Sequence, residues 1–301
     1  MAATIPTVAL LLAASAALSL TGCIGSQGRD SAPVGRTTAS DLTVVPIEDA
    51  AWGALNPARG EAGPRAANLW GDRATSDATG FLVRFAEGFS SPPHIHNVTY
   101  RGIVIEGLIH NDDPNAEESW MAPGSYWTQP EGEVHITSAK GEGRLAYIEI
   151  QRGPYLVLPP EDAVDTGERA LNVHAANLVW LDASTTNRIK LSGDVVPSHG
   201  PRMTFLWGDP QNDAPSGALV AVPAGSTTTF DASDPEIRVV VIKGRPSVHQ
   251  SSSESTSVLA PGSFVGSNSS NGSQVTFTTR EESWLYVRAR GSLQVHATRQ
   301  D

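Results

Sequence analysis

Gly88-Phe89-Ser90-Ser91-Pro92-Pro93-His94-Ile95-His96 and, further along, Gly124-Ser125-Tyr126-Trp127-Thr128-Gln129-Pro130-Glu131-Gly132-Glu133-Val134-His135 are the two segments on which the fold of this chain turns. His94 and His96 are two residues apart. In a strand, where side chains alternate, that step puts both imidazoles on one face. His135, from a later strand, can close on the same point. Three convergent neutral imidazoles make a site for a divalent metal ion. Pro92 and Pro93 fix φ just ahead of the first pair and bias the chain there toward extended geometry.

The surroundings of these segments repeat. Leu69-Trp70-Gly71-Asp72 returns as Leu206-Trp207-Gly208-Asp209, and Gly80, Gly88 and Gly107 return at the same offset as Gly217, Gly225 and Gly244. Met121-Ala122-Pro123-Gly124-Ser125-Tyr126 returns one residue later still, as Leu259-Ala260-Pro261-Gly262-Ser263-Phe264. Two copies of one fold therefore fill most of the chain. Each copy reads as all-β. Short β-branched and aromatic runs such as Phe81–Phe85, Ile103–Ile105 and Leu145–Ile150 are bounded by Gly, Pro and Asn, and helical periodicity is absent. Closely spaced short strands predict a jelly-roll barrel for each copy.

At these residues the chain resembles the cupin superfamily, and its duplication resembles a bicupin. The first cupin motif is G-x5-H-x-H-x3-4-E-x6-G, and Gly88, His94, His96 and Gly107 fit it. The second is G-x5-P-x-G-x2-H-x3-N, and Gly124, Pro130, Gly132 and His135 fit it. The wording around them, His96-Asn97-Val98-Thr99-Tyr100-Arg101-Gly102 and His110-Asn111-Asp112-Asp113-Pro114, looks like the cupin-like family known only as DUF4437. The resemblance implies two tandem cupin (double-stranded β-helix, or jelly-roll) barrels. It also implies one divalent metal ion (Mn, Fe, Ni or Zn) on His94, His96 and His135. Two motif positions depart: Tyr100 stands where the ligand glutamate belongs, and Ala139 where the asparagine belongs. The second copy lacks the ligands, since His94, His96 and His135 align with Asp231, Ser233 and Ser273.

Two further residues are candidates for chemistry. The Tyr100 hydroxyl can hydrogen-bond a metal-bound water or oxygen species, or Tyr100 can be a packed core tyrosine. Glu149 sits in the alternating run Tyr147-Ile148-Glu149-Ile150-Gln151. If Tyr147, Glu149 and Gln151 face the pocket, Glu149 is a general base or a fourth ligand; the repeat leaves that parity open. Glu131 and Glu133 read as solvated loop charges, and Gln129 as a polar group near the pocket mouth.

The 301 residues carry a net charge of −11, which argues against nucleic acid as a partner, since that role needs clustered Lys and Arg. An apolar Ala- and Leu-rich run ends in Leu20-Thr21-Gly22-Cys23, which resembles a bacterial lipobox. Residues 1–22 then read as a lipoprotein signal peptide, with Cys23 as the lipidated residue. Residues 23–40 read as a flexible tether, 41–158 as a metal-bearing first barrel, 159–175 as a linker and 176–301 as a degenerate second barrel. The expected location is the bacterial cell envelope, lipid-anchored, at the outer membrane facing the periplasm. The membrane is met only through that anchor, and homo-oligomer formation stays open. Three function classes follow: a metalloenzyme on a small organic molecule (dioxygenase-like, or a lyase or isomerase), a non-catalytic small-molecule binder or sensor, and a structural bicupin with a vestigial site.

Overall fold

The computed structural model of the chain describes residues 42–250, 255–268 and 273–299. The expected signal peptide, the expected lipidation at Cys23 and the expected tether all lie outside the described residues. Among the described residues no helix is long and apolar enough to cross a membrane. Strands dominate, with short 3-10 turns between them.

Two antiparallel sheets repeat one strand order. In the first copy the order is Leu171–Val173, Tyr126–Gln129, Tyr100–Asp112, Ile136–Ile150, Thr79–Arg84, Arg65–Trp70 and Gly53–Ala54. In the second it is Leu42–Val45, Phe264–Asn268, Glu236–Lys243, Ser283–Arg290, Pro215–Val222 and Arg202–Trp207. The outermost strands are exchanged. Leu42–Val45 precedes the first copy but pairs with Phe264–Asn268 of the second. Leu171–Val173, from the stretch read as a linker, pairs with Tyr126–Gln129 of the first. Each exchanged strand is held at the same point: the amide of Ile47 donates to Ser263 Oγ at 3.1 Å, and that of Ala175 to Ser125 Oγ at 2.9 Å. These serines close the repeated Ala-Pro-Gly-Ser turns, so the two halves of the exchange are one device used twice. Leu42–Val45 thus pairs across the linear division into 41–158 and 176–301, and the stretch 159–175 contributes a strand to the first sheet.

The burial patterns follow from this arrangement. On the outer sheet of the second barrel, Ser226–Ala232 and Ser273–Thr279 alternate between buried and accessible residues, as half-buried strands should. Thr79–Arg84 and Pro215–Val222 are buried almost throughout, because one face packs on its own barrel's core and the other on the neighbouring barrel. The apolar side chains accordingly form three clusters, one inside each barrel and a third between them around Leu82, Tyr126, Leu145, Leu219, Val240 and Phe264. Gly80 and Gly217, matched in the repeat, let an indole lie against each of these strands. A Cβ on Gly80 would stand 2.1 Å from Trp70 Nε1, and one on Gly217 2.0 Å from Trp207 Nε1.

Between the barrels lies a buried polar network, and Glu149 is its centre. Trp70 Nε1 donates to the Tyr147 hydroxyl and Trp207 Nε1 to the Tyr286 hydroxyl. Both tyrosines donate to Glu149 Oε2, at 3.0 and 2.8 Å. Gln151 Nε2 and Arg288 Nε reach Oε1 at 2.8 and 3.2 Å. Glu149 and Arg288 stand at equivalent positions of the repeat, two residues after Tyr147 and Tyr286, so a carboxylate meets a guanidinium across the pseudo-twofold. The expectation that Glu149 lines the metal pocket is therefore corrected. On this strand Ala146, Ile148 and Ile150 belong to the first barrel's core, and Leu145 and Tyr147 to the cluster between barrels. Glu149 has the parity of the second set.

The pair is nearly inaccessible, with side-chain exposure of 5% for Arg288 and 1% for Glu149. Removing one partner strands a buried charge. Arg288→Met should destabilise the protein by about 3 to 5 kcal/mol in urea unfolding, and Glu149→Leu combined with Arg288→Met should recover a large part of the loss. Metal content should not change in the double variant. A double variant that folds but loses metal would return Glu149 to the site.

Candidate metal centre

His94 and His96 follow the Pro92-Pro93 corner, and His135 opens the return strand. An antiparallel bridge joins His94 to His135 through main-chain hydrogen bonds of 3.1 and 3.0 Å. The short Ile95–His96 strand pairs with Val157–Leu158, which pins the second ligand from the other side. The three imidazoles are buried, and their ligand atoms lie within 4.8 Å of one another. Among the described residues this is the one such cluster of three His, Cys, Asp or Glu side chains.

The protons of these rings can be accounted for from the backbone. Nδ1 of His94 is 3.0 Å from the Pro92 carbonyl, Nδ1 of His96 2.8 Å from the Leu156 carbonyl, and Nδ1 of His135 3.2 Å from the Glu133 carbonyl. A carbonyl can only accept, so each Nδ1 carries the hydrogen and each Nε2 keeps its lone pair. Burial holds all three neutral. The pKa of His94 is lowered and that of His96 lies well below the ordinary value, while His135 is pushed down to about 3. Desolvation is the largest cause in each case; for His96 and His135 the neighbouring imidazoles add to it. Three unprotonated nitrogens in one buried cluster fit a divalent ion, whose ligands must be deprotonated and whose imidazoles are oriented by a partner on the far nitrogen.

Two tyrosines flank the cluster. The Tyr100 oxygen is 3.4 Å from His135 Nε2 and 2.8 Å from Asn111 Oδ1. The Tyr155 oxygen is 3.2 Å from His96 Nε2, and its ring stacks on His96 at 4.4 Å between centroids. Burial raises the pKa of both phenols, so both keep their protons. Tyr155 escapes a reading of the sequence because it lies past the last long strand of the first copy, beside the stretch that composition marks as a linker. The one hint is an aromatic residue directly before the apolar run Leu156-Val157-Leu158. Glu106 is exposed, at a register shift within the strand Tyr100–Asp112. Gln129 is buried behind Asn111 rather than at the mouth.

The cavity beside the histidines has a volume of about 50 Å³. Its walls include Val83, Phe89, Trp127, Ile148 and Val157, with Arg59 as the one ionised side chain. No Asp or Glu lines it among the described residues. The second barrel is filled instead. Phe230, Ala232, Val275 and Phe277 occupy its interior. Ala232 pairs with Ser273 where His94 pairs with His135, so the register is one residue off the expected alignment. Asp231, expected at the position equivalent to His94, accepts from Gln274 Nε2 at 2.9 Å on the accessible side of its strand.

The family model described as "Domain of unknown function (DUF4437)" matches residues 43–296. Among solved structures, a putative dioxygenase from Nostoc punctiforme superposes with a TM-score of 0.57 at 16% identity, covering 83% of this chain and 82% of its own. The oxalate decarboxylase of Lactobacillus farciminis, in a formate complex, gives 0.53 at 11%, over 85% and 88%. The salicylate 1,2-dioxygenase of Pseudoaminobacter salicylatoxidans, in complex with gentisate, gives 0.51 at 12%, over 86% and 84%. At these identities the likeness concerns the fold, and it agrees with two tandem cupin barrels. No curated protein matches the chain.

The depressed histidines make stability depend on pH in a known direction. In the unfolded chain a histidine titrates near 6.5, and in the folded metal-free protein His135 titrates near 3. Between those values the unfolded state holds more protons, so stability falls as pH is lowered through the window. His135 by itself should account for about 2 kcal/mol between pH ~7 and pH ~5. Urea unfolding of the metal-free protein at both values, beside a variant with all three histidines changed to Gln, checks this. Equal pH slopes in the two proteins would contradict it.

Proposed function

The chain thus belongs to the DUF4437 family, and we propose that it is a metal-dependent enzyme acting on a small anionic organic molecule at His94, His96 and His135. The observation that carries this reading is the charge balance of the pocket. Three neutral imidazoles leave a divalent ion with its full charge. Among the described residues no carboxylate lines the cavity, and Arg59 adds a cation close enough to lower the pKa of His94. A low-dielectric cavity of net positive charge favours an anion, and a carboxylate or enolate oxygen is the ligand of matching chemistry. The cavity of about 50 Å³ suits a small bound group.

A bound ion would supply Lewis acidity and open positions for a substrate oxygen or for O2. The protein's own groups do the rest. Arg59 attracts and orients the anion, the apolar walls exclude water, and the imidazoles are held in one tautomer. Tyr155 holds the proton nearest the reacting centre. Its hydroxyl has no acceptor among the described residues except His96 Nε2. Once that lone pair is committed to a metal, the O–H is free to donate to a substrate oxygen. Dioxygenase-like chemistry and lyase or isomerase chemistry both fit these parts. A non-catalytic binder would use the same parts without turnover.

The lipobox reading of Leu20-Thr21-Gly22-Cys23 supports an enzyme tethered by lipid to the bacterial cell envelope. Its substrate would then be met outside the cytoplasm.

Elemental analysis of the purified protein should find about one divalent metal per chain, lost in His135→Ala. Calorimetric titration with two- to four-carbon mono- and dicarboxylates should give binding to the metal-loaded protein and none to the metal-free protein. Matched neutral amides should bind at least tenfold more weakly, and Arg59→Gln should weaken carboxylate binding about tenfold with metal retained. Oxygen uptake by the Fe(II) form with the tightest ligand separates oxygenation from non-redox chemistry. A metal-free protein from metal-replete medium, or equal affinity for amides and carboxylates, would sink the proposal.

A further inference from the structure

The hydrogen bonds behind Tyr100 run in a direction that can be worked out from one end. The Glu133 carbonyl can only accept. It is 3.3 Å from Gln129 Nε2, so the Gln129 amide nitrogen faces it and Oε1 faces the other way. Gln129 Oε1 is 2.8 Å from Asn111 Nδ2, which must donate to it. That leaves Asn111 Oδ1 toward the pocket, where two hydroxyls meet it at 2.8 Å, those of Tyr100 and Thr137. Both must donate. Tyr100, Asn111, Gln129 and His135 are all buried, so water does not scramble the order. The phenolic proton of Tyr100 therefore points away from the histidines, and its lone pair points toward them.

The same Glu133 carbonyl takes the Nδ1 proton of His135. So the 3.4 Å contact between the Tyr100 oxygen and His135 Nε2 has no hydrogen in it. Two buried lone pairs face each other there, an arrangement that a cation relieves. The separation also has a meaning. Two donor atoms bonded at ~2.1 Å to one ion stand roughly 3.0 to 3.4 Å apart.

We propose that Tyr100 is an oxygen ligand of the metal, presented as a neutral phenol in the place where the family motif has a carboxylate, and that Asn111 and Gln129 are positioning residues that hold its lone pair toward the ion. This rests on the metal-centre reading above. It reverses the sequence expectation that Tyr100 donates a hydrogen bond to a metal-bound species. The two tyrosines then divide the work: Tyr100 faces the ion as an acceptor, and Tyr155 keeps the available proton. A neutral oxygen in place of a carboxylate also preserves the positive charge that an anionic substrate needs.

The test uses Co(II) added to the metal-free protein, with affinity read by competition against a chromophoric chelator and coordination read from the visible d–d spectrum. Tyr100→Phe should weaken Co(II) binding about 10- to 100-fold and change the intensity of the d–d bands. Asn111→Leu keeps the phenol but frees its proton to turn toward His135, and should weaken binding over the same range. Thermal unfolding of each variant monitors folding. A second measurement needs no substitution: with 17O-tyrosine incorporated, the Cu(II) or Mn(II) form should show an oxygen hyperfine coupling of ligand size. Unchanged affinity and spectrum in Tyr100→Phe, or no such coupling, would overturn the assignment of Tyr100 while the three-histidine site stands. Failure of the unmutated protein to bind Co(II) would overturn the metal centre, and this inference with it.

Discussion

The strands shared between the two barrels are buried from both sides, and the rest of the molecule is arranged around that constraint. On a half-exposed strand every second residue meets water and is free to vary. Here, every residue of Leu145–Ile150 meets protein. Neighbours along the chain therefore serve different cores: Ile148 lines the metal cavity, and Glu149 meets Arg288 of the other barrel. The pocket wall and the inter-barrel contact cannot shift independently, because they are two faces of one sheet. The exchanged strands Leu42–Val45 and Leu171–Val173 tie the arrangement further, since each copy completes the other's sheet edge.

The duplication has kept the scaffold and abandoned one site. The second barrel retains the strand order, the Trp–Tyr pair and the exchanged edge, and it fills its interior with Phe230, Val275 and Phe277. An interior that no longer holds an ion collapses onto apolar side chains, which need no partner for charge or hydrogen bonds. The first barrel does the opposite. It buries three imidazoles, two phenols and two amides, and supplies most of their hydrogens with a backbone or side-chain acceptor. The ring nitrogens of three neutral histidines converge there on one point, and that convergence is the structural sign of a cation site.

Much of this was legible in the residue order. The spacings of Gly88, His94, His96 and Gly107, and of Gly124, Pro130, Gly132 and His135, carry the cupin resemblance and with it the barrel and the three clustered imidazoles, because period-two alternation and tight glycine turns are local properties. The repeat of Leu-Trp-Gly-Asp and Ala-Pro-Gly-Ser announces two copies for the same reason. Tyr100 could be placed at the site by counting from His96. The direction of its proton could not, since that is set by the Glu133 carbonyl through Gln129 and Asn111. Tyr155 goes unread in the sequence and the parity of Glu149 stays open there, for related reasons. The first sits in a stretch with linker composition that turns back over His96. The second lies in an alternating run whose two faces are both buried, so polarity gives no clue to which core it meets.

Sequence by itself therefore determined the all-β duplicated architecture, the three imidazoles and the missing carboxylate, all of which rest on short-range periodicity and residue chemistry. Tertiary structure decided which barrel completes which sheet, which core Glu149 serves, and which acceptor each tyrosine hydroxyl meets. Those outcomes depend on acceptors and charges far away in the chain: the Leu156 carbonyl for His96, Asn111 for Tyr100, and Arg288 for Glu149. A hydrogen bond has a direction only when both of its ends are known, and one end of each is supplied by the fold.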